Sequence, residues 1–240
     1  MTETAPAATT THFPVSSSDC IGVPLPGVEL KLVPQEGKYE LRLRGPNITP
    51  GYYRRPDLHE ETFDSDGYLR TGDAVQMVDP TDANQGLLFA GRIAENFKLA
   101  TGTFVTVGTL RPKLLSSCGG LLHDAVICGE GADFLGALAW IHADHAHRVA
   151  PDGTPDSGLR DQLCAALDQV AASGGSSQRV ERLLLMTAAA DLDAGEVTDK
   201  GYINQRRVRE QRRELVIELM APSPSPRTIS RPAISPVAHA

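Results

Sequence analysis

The chain has 240 residues, a net charge of −7 and 41 % hydrophobic residues. That is enough apolar side chain for a packed core, in one large domain or two small ones, and too acidic a balance for a general nucleic-acid or anionic-membrane surface. No apolar run approaches the ~20 residues of a membrane helix.

The N-terminal stretch MTETAPAATTTHF lacks the basic and apolar segments of a secretory signal. Cys20, Cys118, Cys128 and Cys164 form no CxxC pair, which points to reduced thiols in a cytoplasmic protein rather than a zinc site or disulfide framework. Residues 1–20, rich in Thr, Ala, Ser and Pro, are expected to be a loop or frayed arm. Residues 21–90 read as a β-rich unit. Val28, Leu30 and Leu32 alternate with Glu29 and Lys31, and Tyr39, Leu41 and Leu43 alternate with Glu40, Arg42 and Arg44, the period of half-buried strands. Pro34 to Lys38 joins them as a hairpin loop. Prolines and glycines keep 45–63 from a long helix, Asp79 to Gln85 is a polar turn, and Gly86 to Ala90 leads to Gly91-Arg92.

Residues 96–219 read as a small α/β unit. A hairpin turns at Thr101-Gly102-Thr103, and a short helix spans 109–116. Apolar runs predict strands at 124–128, 134–141 and 180–186. Leu159, Leu163, Leu167 and Val170 recur at helical spacing and predict a helix over 157–172. An Arg-rich helix with a solvated face runs from Asn204 to Leu219. Residues 220–240, rich in Pro and Ser, are expected to be a disordered tail whose Ser-Pro pairs are open to phosphorylation. His142 to His147, HADHAH, suggests a metal site, but strand alternation would divide its side chains between two faces.

The stretch that concentrates polar chemistry is DGYLRTGD, at 66–73, followed by GLLFAGRIAENFKLATG, at 86–102. Asp73 and Arg92, each beside a glycine, stand nineteen positions apart at the ends of two predicted strands, a spacing that lets both side chains meet one polar ligand. By residue type alone, Asp73 is also a turn former and Arg92 a hinge ion-pair partner.

YLRTGD, then GR, then FKLATG resembles the adenylate-forming acid–CoA ligases. The extra residue between Lys98 and Gly102 resembles the long-chain and aryl-acid branches, and DAGEVTDKGYINQR at 193–206 resembles feruloyl-CoA synthases. The resemblance covers roughly residues 1–219. It implies an α+β fold: a β-rich end of the large AMP-binding domain over 21–90, a hinge at 91–95 and a small mobile α/β lid over 96–219. At the hinge, Ala94 stands where the family usually has Lys or Asp, which removes a side-chain contact without removing backbone rotation.

The resemblance also implies roles. Asp73 and Arg92 contact the ribose, and Thr2 approaches the nucleotide phosphate. Glu3 helps hold Mg²⁺. Lys200 neutralises charge as a carboxylate attacks the α-phosphate of ATP, and Lys98 with Gly102 forms the hairpin used when coenzyme A takes the acyl group. Lys200 is preceded by Asp199 and followed by Gly201, where the family more often has glycine before the lysine. On residue type alone, Lys200 is a solvated lysine and Lys98 a strand lysine.

ATP, Mg²⁺, coenzyme A and a hydroxycinnamic-type carboxylic acid are therefore the expected small molecules, none tightly bound. The family's Gly/Ser/Thr-rich phosphate-gripping loop is not among these residues. The leading expectation is the truncated C-terminal portion of such a ligase, with little or no activity alone; a separate N-terminal half is the partner expected if the chain is instead an interaction module. A non-catalytic nucleotide-binding or interaction module, and a complete ligase whose start is misassigned, stand as alternatives.

Overall fold

The computed structural model describes residues 1–35, 38–172, 174–198 and 201–231, and the chain divides after Asn96 into two units. The first contains β1 (Thr9–Thr10), β2 (Cys20–Pro24), β3 (Glu29–Gln35), β4 (Lys38–Arg44), the short helix α1 (His59–Thr62), β5 (Leu69–Met77) and β6 (Leu87–Arg92). All six strands join one antiparallel sheet in the order β1-β2-β6-β5-β4-β3.

Alternation sets the register. Leu43 stands between Leu30 and Leu69 on its two neighbours. With Leu41, Phe63, Val75 and Leu87 these form the apolar cluster of the unit. On the charged face, Arg42 reaches Glu40 and Asp64, and Lys31 lies 2.9 Å from the same Asp64. Asp64 also accepts from the Asp66 and Tyr68 amides at 3.0 Å. Burial alone raises its carboxyl, but the bonds from Lys31, the Tyr68 amide and Arg42 outweigh that and hold it well below the ordinary range.

The N-terminal residues do not behave as a frayed arm. Thr2–Thr4 forms a 3-10 turn, β1 pairs with β2, and the Leu25 amide donates to Ala8 O at 2.9 Å. Asn47 Nδ2 donates to Thr4 O and to Ala7 O, each at 2.8 Å. The sequence hides this because each tie is to a residue far along the chain. Gly22 is what allows the close approach. Its φ is +80°, and an added Cβ would stand 1.9 Å from Thr10 O. Gly22→Ala is expected to push β1 off the sheet edge at a cost of about 1–3 kcal/mol. An unchanged urea midpoint, with Thr10 exchange protection intact, would refute that.

The second unit contains the hairpin β7 (Phe97–Lys98) and β8 (Phe104–Val105), then α2 (Val107–Ser117), β9 (Leu122–Cys128), β10 (Leu135–Ile141), α3 (Ser157–Ala172), β11 (Val180–Met186), α4 (Gln205–Gln211), α5 (Arg213–Met220) and β12 (Ile229–Ser230). Its main sheet has the order β12-β11-β10-β9, with β10 and β11 parallel and α3 between them in sequence. Both sheet faces are covered, so the strands read as continuous apolar runs. Leu183 and Leu185 belong to the cluster with Leu110 and Leu114 of α2 and Leu163 and Leu167 of α3. Leu184 and Met186 point to the other side, toward Val208 of α4 and Leu219 of α5. On β9, the buried Gln205 side chain accepts from Ile127 N at 3.0 Å and donates to Ala125 O at 2.9 Å, as a neighbouring strand would.

Three expectations change here. The histidine run is not a strand: Ala143–Arg148 forms a 3-10 helix, and among the described residues no group of three or more His, Cys, Asp or Glu is placed to hold a metal. The Arg-rich helix is two helices, because Arg212 leaves helical geometry with φ −102° and ψ 36°. The chain remains folded beyond 220, since β12 pairs with β11 and the Arg231 amide donates to Glu181 O at 3.0 Å. The remaining tail, 232–240, lies outside the described residues. The four cysteines are all free thiols, and burial pushes Cys118 and Cys128 up to about 12.

Candidate functional site

β5 and β6 bring Asp73 and Arg92 face to face as register partners. Gly72, at φ +67°, supplies the left-handed turn that precedes Asp73, and the ladder shifts register between Asp73 and Val75. Thr71 fixes the segment: its hydroxyl donates to Leu41 O at 2.5 Å and accepts from the Asp73 amide at 3.0 Å. Arg92 Nη1 lies 3.0 Å from Asp73 Oδ1, yet it donates its hydrogen bond to Thr71 O at 2.9 Å.

Asp73 is thus charge-paired without being hydrogen-bonded. Its Oδ1 is buried and has no hydrogen-bond partner among the described residues. Burial pushes its carboxyl above the ordinary value, opposed by Arg92 and by the N-terminal ammonium of Met1. An unsatisfied buried acceptor requires an explanation in a folded protein, and two hydroxyl donors of a diol suit it.

The Thr2–Thr4 turn belongs to the same unit as Asp73. Thr2 is exposed. The Glu3 carbonyl accepts from Thr49 N at 2.8 Å, and its carboxylate accepts from Tyr52 OH at 3.1 Å. A single carboxylate fits Mg²⁺ held jointly with nucleotide phosphates and water, not a site made of protein alone. Ala94 is the exposed middle residue of the 3-10 turn Ile93–Glu95 that follows Arg92.

The second unit carries the other candidates. Lys98 is exposed on β7 and pairs in register with Phe104, and Gly102 turns the hairpin at φ +80° with open space where a Cβ would be. The hairpin is tied down by Gly131 N to Lys98 O and Ala100 N to Ala132 O, each 2.8 Å. Lys200 lies outside the described residues; its neighbours form a bridge between Val197 and Ile203, and Thr198 N donates to Tyr202 O at 2.8 Å. The structure therefore groups Thr2, Glu3, Asp73 and Arg92 on the first unit and Lys98 and Gly102 on the second.

No family model matches the chain. Human long-chain-fatty-acid–CoA ligase 6 is 38 % identical over 97 residues, 37 % of this chain and 13 % of its own length. A Mycobacterium tuberculosis protein named as a fatty-acid–CoA ligase is 24 % identical over 98 % of this chain and 41 % of its own. The adenylation domain of a Mycobacterium chelonae carboxylate reductase superposes with a TM-score of 0.67 at 26 % identity, covering 84 % of this chain and 33 % of that one.

The chain is similar in sequence and in fold to the adenylate-forming ligases. It matches the C-terminal part of their adenylation domains, and it spans less than half the length of each of these relatives.

Within this ligase-like frame the structure adds two residues that sequence reasoning missed. Arg212, expected on a solvated helix face, turns inward. Its Nε and Nη2 donate to Glu196 at 2.8 and 2.7 Å, and Nη1 and Nη2 donate to Ala188 O and Ala189 O. Glu196 is 2 % exposed and also accepts from the Asp191 amide at 2.8 Å. Together they tie Ala188, Ala189, Asp191 and Glu196 to the break between α4 and α5. The sequence signal was faint: a glutamate inside a polar loop and one arginine in a run of five. Arg209 also turns inward and donates to Ile127 O at 3.1 Å, whereas Arg206 and Arg207 pair with Glu210 on the exposed side.

Proposed function

We propose that these residues form the ribose-binding edge and the lysine-bearing lid of an ATP-dependent acid–CoA ligase acting on an aryl acid of the hydroxycinnamic type. The substrate carboxylate attacks the α-phosphate of ATP, giving an acyl-adenylate and pyrophosphate. The coenzyme A thiol then loses its proton, attacks the acyl carbon and displaces AMP. Asp73 accepts from the ribose hydroxyls with Arg92 beside it, Thr2 approaches the phosphates, and Glu3 contributes to a Mg²⁺ held mainly by those phosphates. Lys200 supplies positive charge at the α-phosphate. The Lys98–Gly102 hairpin lies along the pantetheine arm in the second step. The hydroxycinnamic preference rests on DAGEVTDKGYINQR at 193–206.

The observation that carries the reading is the buried, unpartnered Oδ1 of Asp73 beside Arg92. The phosphate-gripping loop of such ligases is not among these 240 residues, so we expect nucleotide binding without turnover until an N-terminal half supplies it. Four free thiols fit a cytoplasmic setting.

Calorimetric titration with AMP and with its 2′,3′-dideoxy analogue tests the ribose contact. AMP is expected to bind at least about tenfold more tightly, the scale of losing a hydrogen bond to a charged group. Equal affinities would remove Asp73 from the ribose. Ferulate-dependent pyrophosphate release by the 240 residues alone would refute the need for an added loop.

A further inference from the structure

The ends of β10 and β11 and the start of β9 open onto a pocket of about 790 Å³ that lies wholly within the second unit. That volume falls inside the roughly 300–1,000 Å³ range of small-molecule sites. Trp140, Met186, Val197 and Ile203 give it apolar wall, and His123 and His142 give it a polar side. The indole is held in place: Nε1 donates to Ala188 O at 2.8 Å, and the Arg212 guanidinium lies 5.1 Å from the ring centroid.

The polar side has a defined hydrogen-bonding character. The His123 and His142 ring centroids are 6.5 Å apart, close enough for one carboxylate to bridge them. His142 Nδ1 lies 3.4 Å from the Asp144 amide and equally 3.4 Å from Asp144 Oδ2, so Asp144 engages Nδ1 and leaves Nε2 as the ring nitrogen turned to a ligand. Asp124, which also lines the pocket, does not compete for these rings. Its carboxylate is taken by Arg111 Nε and Nη2 at 2.7 and 2.5 Å and by the Ala125 amide at 2.6 Å. Asp124 is thus matched by its own cation, and Asp144, beside His142 Nδ1, is 82 % exposed to solvent, so what the pocket offers a ligand is apolar wall and two imidazoles.

We propose that this pocket binds a small apolar monocarboxylate, its carboxylate between His123 and His142 and its apolar body against Trp140, Met186 and Ile203. The occupant would rest on Val197 and Ile203, which pair with one another. The inference goes beyond the ligase reading and does not depend on it, since no nucleotide is involved.

Trp140 is the single tryptophan of the chain and lines the pocket, so its emission reports occupancy directly. The probe is octanoate, titrated into the full chain, with octanol as the uncharged control. A saturable change in Trp140 emission is expected for octanoate, with octanol at least about tenfold weaker. The double variant His123→Gln/His142→Gln, at surface positions, should weaken octanoate by a similar factor. Ala189→Phe, which grows an exposed lining residue into the space, should remove the response. The histidine variant keeps the test decisive if Ala189→Phe does not fold. Absence of a saturable change, equal response to octanol, or a titration indifferent to either variant would overturn the proposal. None of these outcomes bears on AMP binding, so the ligase reading stands or falls separately.

Discussion

Glu196→Ala is expected to cost about 3–5 kcal/mol of stability in the second unit, the range for removing one partner of a buried ion pair. The side chains of Glu196 and Arg212 are 3 % and 11 % exposed. Without the carboxylate, Arg212 keeps its bonds to Ala188 O and Ala189 O but loses both bonds to Glu196. The Asp191 amide loses its carboxylate partner as well. The cost arises from the stranded charge, not from the pair being strong in itself. A double variant, Glu196→Leu with Arg212→Met, should therefore recover much of the loss, because apolar replacement of a whole buried pair is often near neutral.

The pair also predicts a pH dependence. The Arg212 bond, against a smaller opposing effect of burial and with help from the Asp191 amide, lowers the Glu196 carboxyl below its ordinary 4.5. A carboxyl lowered by folding adds stability that is complete above its unfolded value and lost as pH falls through its folded value. Wild type should thus lose more stability than Glu196→Ala as pH drops below about 4.5. Urea titrations followed by Trp140 emission measure both effects, and hydrogen exchange at Tyr202 and Asn204 reports on the loop. A loss under about 1 kcal/mol, the level of an exposed ion pair, would mean that the loop is not held by this contact.

What the sequence showed and what it concealed divide along one line. Strands β3 and β4 were legible because Leu30, Leu32, Leu41 and Leu43 alternate with charges, and α3 because Leu159, Leu163 and Leu167 fall on one helical stripe. Those signals are local. The antiparallel placement of Asp73 opposite Arg92 was readable as two strand ends that converge, but the orphaned Oδ1 was not. It depends on Arg92 spending its hydrogen bond on Thr71 O rather than on the carboxylate. β1 was invisible for the same reason. Thr9 and Thr10 have no pattern of their own and become a strand because Gly22 admits them to the edge of β2. Arg212 read as one more solvated arginine, since its partners at 188, 189 and 196 approach only once β11 and the following loop are in place. The break between α4 and α5 falls at that residue, so a periodicity that runs unbroken through Val208, Leu215 and Leu219 could not reveal it.

Asp73→Asn is expected to move stability and binding in opposite directions. In the absence of ligand Asp73 Oδ1 is buried without a hydrogen bond, and desolvation raises the carboxyl despite the Arg92 charge 3.0 Å away, so its ionised form opposes folding. The sign follows from linkage. A carboxyl whose folded value lies above its unfolded one is neutral, and costs nothing, below the unfolded value. Stability then falls as pH rises through the folded value. At neutral pH an amide of the same shape removes that penalty, and the unfolding midpoint of the first unit should rise. The gain should vanish as pH falls below the ordinary 3.8 of an aspartate. The same exchange replaces an ionised acceptor with a neutral one at the ribose. Hydrogen bonds to charged groups contribute about 1.5–3 kcal/mol, so AMP affinity should drop about ten- to a hundredfold. A purely structural aspartate would show no coupling between the two measurements. If Asp73→Asn instead lowers the midpoint at neutral pH, the carboxylate has partners that hold it in the fold. If AMP binds unchanged, the ribose lies elsewhere. A variant that is more stable and binds less marks Asp73 as a group kept under strain for the ligand it receives.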